Sequence, residues 1–184
     1  MKTEYRLAGA LKSLMSEVPL DSISVTLLAK KCRVRRQTFY YHFHDIYDVL
    51  SLVFLNETID HIEECKTLKQ MVRAIFSYYD KNRDFLDATI NSACKDLFQE
   101  FIHNNCYRCV FKFISNNPES KKITMNDKKS IARFYAMAFS NSIVYYLSTY
   151  KNKTLLGLET SLCFEDDDSL KSAVDKMIEH KSKK

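Results

Sequence analysis

Glycine and proline are nearly missing from this chain of 184 residues, which holds two of each. So low a content excludes collagen-like and low-complexity chains and argues against a turn-rich all-β fold. It also leaves no glycine loop of the kind that wraps a nucleotide phosphate. No apolar run approaches the roughly 18 residues that cross a bilayer. The opening MKTEYRLAGALK lacks the uninterrupted apolar stretch of a secretory leader. The six cysteines (32, 65, 94, 106, 109 and 163) therefore read as reduced thiols, and the expected compartment is the cytoplasm, with no membrane association. No Ser-His-Asp or paired-carboxylate constellation stands out either. No catalytic residue, cofactor or metal is expected, and the chain does not read as an enzyme.

What is present is an ordinary globular composition, 46% hydrophobic and 28% charged. A chain of this length buries about 70% of its unfolded surface and needs no disulfide or metal to fold. Nearly every periodic segment repeats at three and four residues and none alternates at two, which predicts an all-α fold of about nine helices. Leu7, Leu11, Leu14, Met15 and Val18 form one face of a first helix, ended by Pro19 and Asp21. Ser24 caps a short second helix through Lys31, a third runs from Arg36 to His42, and Asp45 caps a long fourth from Ile46 to about Cys65. Thr67 with Gln70 opens a helix to about Asn82, and segments 84–92 and 95–115 follow. Asn126 caps a helix to about Tyr150, residues 152–164 read as a loop or short turn, and Asp168 caps a last helix to about His180. Three short helices ahead of longer ones imply two modules, 1–47 and 48–184.

Net charge is +5, but its placement says more than its size. Between Asp21 and Asp45 there is no acid, while Lys30, Lys31, Arg33, Arg35 and Arg36 crowd into seven positions. Two short helices joined at a basic turn are the parts of a helix-turn-helix, whose second helix enters the major groove while the first crosses the backbone. Ala29 is the small residue at the crossing, Arg33-Val34-Arg35 the turn, and Val34, Phe39 and Phe43 the apolar anchor. Arg36, Gln37, Tyr40 and Tyr41 remain for the outer face. The alternative is a solvated basic face on an ordinary bundle, and the apolar frame around the patch weighs against it.

The run ISVTLLAKKCRVRRQTFYYHFHDIYDVL, residues 23–50, resembles the DNA-binding segment of TetR/AcrR-type transcriptional regulators, with Leu28-Ala29 at the usual distance from the block Thr38 to Phe43. More loosely, the stretch from Arg35 to Tyr40 is similar to regulators of dihydroxyacetone kinase operons, some of which activate rather than repress. The resemblance implies an N-terminal three-helix domain with a helix-turn-helix, a C-terminal helical bundle for ligand binding and dimerisation, and a double-stranded DNA operator of near-twofold symmetry. It puts Arg36 and Gln37 at the base-reading start of the recognition helix, where arginine suits guanine and glutamine suits adenine. Tyr40 falls at an apolar or phosphate contact, and Thr26, Thr38, Tyr41 and His42 at phosphate contacts that fix register. Three positions depart from the family pattern. Arg33 stands where the turn glycine is usual, so a non-glycine residue is expected at positive φ. Arg35 replaces a serine cap and, like Arg33, adds phosphate-seeking charge. Ile46 stands where a lysine often grips the backbone.

For the second module, the resemblance implies a homodimer formed by the last two long helices and a small-molecule effector held among the middle ones. The stripe Phe134, Ala138, Asn141 and Tyr145 and the stripe Leu170, Val174, Met177 and Ile178 are the dimerisation candidates, each of which could equally face its own core. Tyr78, Phe85, Phe98, Phe101, Tyr107 and Phe111 are the effector-lining candidates, with plain core as the alternative. Cys106 and Cys109 with His103 have ligand-like spacing for zinc, or for a thiol switch beside Arg108, although buried cysteine is commonly a small hydrophobe. The expected role is a ligand-responsive repressor. An activator controlled by a regulatory protein is the alternative, and a helical enzyme or carrier without DNA contact a further one.

Overall fold

The computed structural model describes residues 2–162 and 168–182, whose regular structure is helical, with no strand among them. Ten α-helices follow in order: α1 (Thr3–Met15), α2 (Val25–Lys31), α3 (Arg36–His42), α4 (Ile46–Asn56), α5 (Leu68–Lys81), α6 (Arg83–Ile90), α7 (Lys95–Asn116), α8 (Met125–Thr149), α9 (Leu155–Ser161) and α10 (Asp168–Ser182). None is long and apolar enough to cross a membrane. Packing divides the chain into two units, Met1–Thr58 with Tyr79–Phe101 and Ile59–Tyr78 with Ile102–Lys184.

In the first unit, Leu7, Leu11, Leu14 and Met15 of α1 are buried against a frame that includes α2, α4 and α6, while Val18 lies beyond the helix end and is exposed. Phe54 of α4 meets the rings of Phe85, Phe98 and Phe101 at centroid distances of 5.6, 6.3 and 5.6 Å. Lys12 of α1 is the polar fastener of this core. Its ammonium lies 2.7 Å from Glu57 Oε1 and 5.2 Å from the centre of the Phe85 ring. Tyr79 is fully buried and donates its hydroxyl to Asp87 Oδ1 at 2.8 Å. Burial and the neighbouring carboxylate push its phenol far above the ordinary range.

Helix α4 ends well before the expected Cys65. Glu57 turns extended (φ −71°, ψ 142°), and a 3-10 turn, Ile62–Glu64, follows with His61 in the left-handed region at φ 58°. Ile59, Ile62 and Cys65 are all buried. A spacing of three residues suits a 3-10 turn as well as one face of an α-helix, so the pattern persisted although the helix did not.

In the second unit, Thr124 rather than Asn126 caps α8, through a capping box in which Thr124 and Asp127 each accept from the other's backbone N–H. The expected loop at 152–164 contains α9, capped by Thr154 and bound to α5 by the ion pair of Arg73 Nε and Glu159 Oε1 at 2.8 Å. Gly157 sits in α9 because α9 runs directly over Tyr146 of α8. A Cβ at Gly157 would collide with the Tyr146 hydroxyl, which donates to Thr154 O and accepts from Thr154 N–H, each at 3.1 Å. Replacing Gly157 by Ala should therefore cost about 1–3 kcal/mol in urea unfolding. Tyr146→Phe in the same chain should recover part of that loss, and an unchanged midpoint for the single variant would refute the packing account.

Candidate nucleic-acid interface

The basic cluster is built on a helix ending that the sequence makes unusual. Ser24 starts α2 by accepting from Leu27 N–H at 3.1 Å, and Leu28 and Ala29 turn inward. At the other end, Arg33 N–H donates to Lys30 O at 3.1 Å and Val34 N–H to Ala29 O at 2.9 Å. These two bonds form a Schellman closure, which needs its C′ residue in the left-handed region. That residue is Arg33, at φ 52°, a position glycine fills without steric penalty. The expected positive φ is thus present.

Helix α1 braces this turn. Arg6 Nη2 donates to Cys32 O at 2.6 Å, and the Cys32 thiol points back to Arg6 O at 3.5 Å. Sequence patterning gave no sign of Arg6, since a lone cation on the polar face of a helix has no special spacing. With the turn held, α3 starts at Arg36. Its N-cap, Arg35, makes no side-chain cap bond, as a residue without a short acceptor side chain must. Phe39 is the buried anchor of α3, with the ring of Phe43 5.9 Å away.

The periodicity of α3 then decides what faces water. Arg35, Arg36 and Gln37 are exposed, as are Tyr40 and, at 84%, Tyr41. Arg36 lies over the Tyr40 ring at 5.9 Å and donates to its hydroxyl at 3.5 Å. Thr26 and Arg33 are exposed on α2 and the turn, whereas Thr38 is half-buried. His42 is half-buried with Nδ1 3.1 Å from Glu4 Oε1, a second link to α1 that the sequence did not disclose. Lys31 is tied to Glu17 at 3.2 Å. Arg33, Arg35 and Arg36 make no ion pair among the described residues. Beyond α3, Asp45 accepts from Asp48 N–H at 3.0 Å and Asp48 accepts from His44 N–H at 2.9 Å, which closes the start of α4. Ile46 is buried there and serves the core.

The other candidates lie elsewhere. Phe85, Phe98 and Phe101 are buried around Phe54 in the first unit. In the second, Tyr78 is buried and Tyr107 stacks on Phe111 at 6.0 Å. On α8, Phe134, Ala138, Asn141 and Tyr145 are all exposed, while on α10 Leu170 and Val174 are buried and Met177 and Ile178 half-buried. Cys106 is fully buried, and burial holds its thiol far above the ordinary range. Cys109, whose thiol points to Ile62 O at 3.6 Å, is pushed up to about 12 by burial first and then by Cys65 and Glu63. His103 faces Ser140 Oγ at 3.5 Å. Among the described residues no three His, Cys, Asp or Glu side chains gather as a metal site, and Cys163 lies outside those residues.

Residues 66–155 match a TetR family model described as transcriptional regulator C-terminal region. The helix-turn-helix that precedes it agrees with this match. The chain is similar to TetR/AcrR-type transcriptional regulators. Among solved structures, the dihydroxyacetone kinase operon activator DhaS superposes with a TM-score of 0.62 at 22% identity, over 94% of this chain and 96% of that one, a likeness of fold. No curated protein matches. In this chain, Arg33→Gly should relieve the left-handed turn and raise unfolding free energy by about 1 kcal/mol. Chemical denaturation checks it, and a lower midpoint would mean that the Arg33 side chain stabilises the turn by more than its backbone costs.

Proposed function

We propose that this chain is a transcriptional regulator that binds a palindromic operator as a homodimer, with residues 1–47 as the DNA-binding domain and 48–184 as the regulatory and dimerisation domain. The observation that carries the reading is the outer surface of the turn and α3, where Arg33, Arg35, Arg36, Gln37, Tyr40 and Tyr41 are exposed together and none of the three arginines is spent on an internal carboxylate. Arginine and glutamine at the start of α3 suit base edges, and the remaining charge suits phosphates. The protein acts in the cytoplasm, is not an enzyme and needs no cofactor.

The long exposed stripe of α8 supports the dimer. Phe134 is 69%, Met137 58% and Tyr145 64% exposed, which is costly in a lone subunit and suited to burial against a second copy. Leu170 and Val174 contribute little to that surface, because they serve their own subunit's core. As a repressor, the dimer would leave DNA on binding a small effector. The activator reading has one observation in its favour: the fold neighbour DhaS is described as an operon activator.

Selection of DNA fragments by the purified chain, followed by shift assays at controlled salt, tests the reading. Arg36→Ala should relax base preference at one position by about 1–3 kcal/mol. Tyr41→Phe should weaken all sites alike, and Arg33→Gly should lower the salt slope by about one phosphate contact. Wild-type behaviour in all three would remove the assignment. Separately, Phe134→Asp with Tyr145→Asp should give monomers by sedimentation; dimers that persist would place the interface elsewhere.

A further inference from the structure

Helix α2 is short, and the carbonyls of its last turn need donors from outside the helix. The turn itself supplies those of Ala29 O and Lys30 O. The donor to Cys32 O comes from α1, where Arg6 Nη2 approaches to 2.6 Å, and the Cys32 thiol returns a contact to Arg6 O at 3.5 Å. The end of α2 is thus capped from another helix, by a cation where the helix dipole favours one. Both sides of the link rest on the core, since Leu7, next to Arg6, is fully buried and Cys32 is buried too. A second link from α1, Glu4 Oε1 to His42 Nδ1 at 3.1 Å, holds the far end of α3.

Helix α1 therefore grips the recognition segment on both sides, just ahead of the turn and at the last residue of α3. A helix as short as α3 is not stable on its own and takes its direction from such contacts. With α3 tied at His42, a tilt of about 10° would move its first turn by roughly 2 Å over its length of about 10 Å. That exceeds the few tenths of an ångström over which hydrogen-bond distances spread. The residues so displaced are Arg36 and Gln37. We infer that Arg6 is a positioning residue for base reading: through Cys32 O it fixes the tilt at which Arg36 and Gln37 meet the bases, without contacting DNA itself. That role rests on the proposed function. Arg6 is itself exposed, so a direct phosphate contact is the competing role. The two leave different signatures. A phosphate contact strengthens binding to every sequence alike and adds to its salt dependence, whereas a positioning residue changes the ratio between operator and unrelated DNA.

Arg6→Met keeps an unbranched stem and removes the donor. On the operator selected by the unmodified chain, it should cut the ratio of operator to random-sequence affinity by at least about tenfold, with the salt slope unchanged. Arg6→Lys keeps the cation without the guanidinium's fork and should lower the ratio by about threefold; it decides alone if Arg6→Met does not fold. Lys12→Met removes a different polar fastener of α1 and should lower the thermal midpoint while leaving the ratio in place. Without DNA, amide hydrogen exchange over residues 33–43 should quicken at least about tenfold in Arg6→Met and stay unchanged in Lys12→Met. A wild-type ratio in the Arg6 variants, a salt slope lowered by about one phosphate contact, or an equal loss of ratio in Lys12→Met would each overturn the assignment. Exchange untouched by Arg6→Met would sink the brace whether or not the chain binds DNA. An unmodified chain that shifts no DNA, with exchange as expected, would sink the regulator reading and take the assignment with it.

Discussion

The left-handed turn after α2 is the constraint on which the basic surface depends. Two backbone bonds, from Arg33 N–H to Lys30 O and from Val34 N–H to Ala29 O, end one helix and set the direction of the next within a few residues. An arginine occupies the conformation that glycine takes most readily, so the turn stores strain of the order of 1 kcal/mol. What holds it is the packing around it: Phe39 beneath α3, Ala29 and Leu28 on α2, and the Arg6 guanidinium on the Cys32 carbonyl. Were the brace from α1 lost, the direction of α3 would no longer be fixed, and the outer face would lose its order along with it.

Helix α1 is therefore more than a layer of the core. Its apolar face supplies Leu7, Leu11, Leu14 and Met15, while its polar face makes four directed contacts: Arg6 to the turn, Glu4 to His42, Lys12 to Glu57, and Lys12 over Phe85. One exposed ion pair is worth little by itself. Those of α1 are partly buried and each reaches a different element of the first unit, so they fix geometry more than they add stability.

Much of this was legible in the sequence, for physical reasons that can be named. Ser24 and Asp45 cap helices because short oxygen-bearing side chains reach the orphan N–H groups of a first turn, and each is followed directly by apolar residues in step with the helix. The helix-turn-helix was readable because small, apolar and basic residues alternate there in an order that few surfaces share. The end of α4 was not, because Ile59, Ile62 and Cys65 keep a three-residue spacing that two kinds of helix satisfy. Nor was α9, where Gly157 reads as a loop residue until the Tyr146 hydroxyl beneath it is known. The stripe on α10 illustrates a limit of periodicity: it shows that Leu170 and Val174 share a face, and only packing shows that this face turns inward.

Arg33, Arg35 and Arg36 are guanidinium groups throughout, whereas Lys31 is held by Glu17. Exposed guanidinium groups present flat, forked donors to their surroundings. Dissolved ions screen such a rim and shorten its reach, so the ionic strength around the protein sets how far its charge is felt.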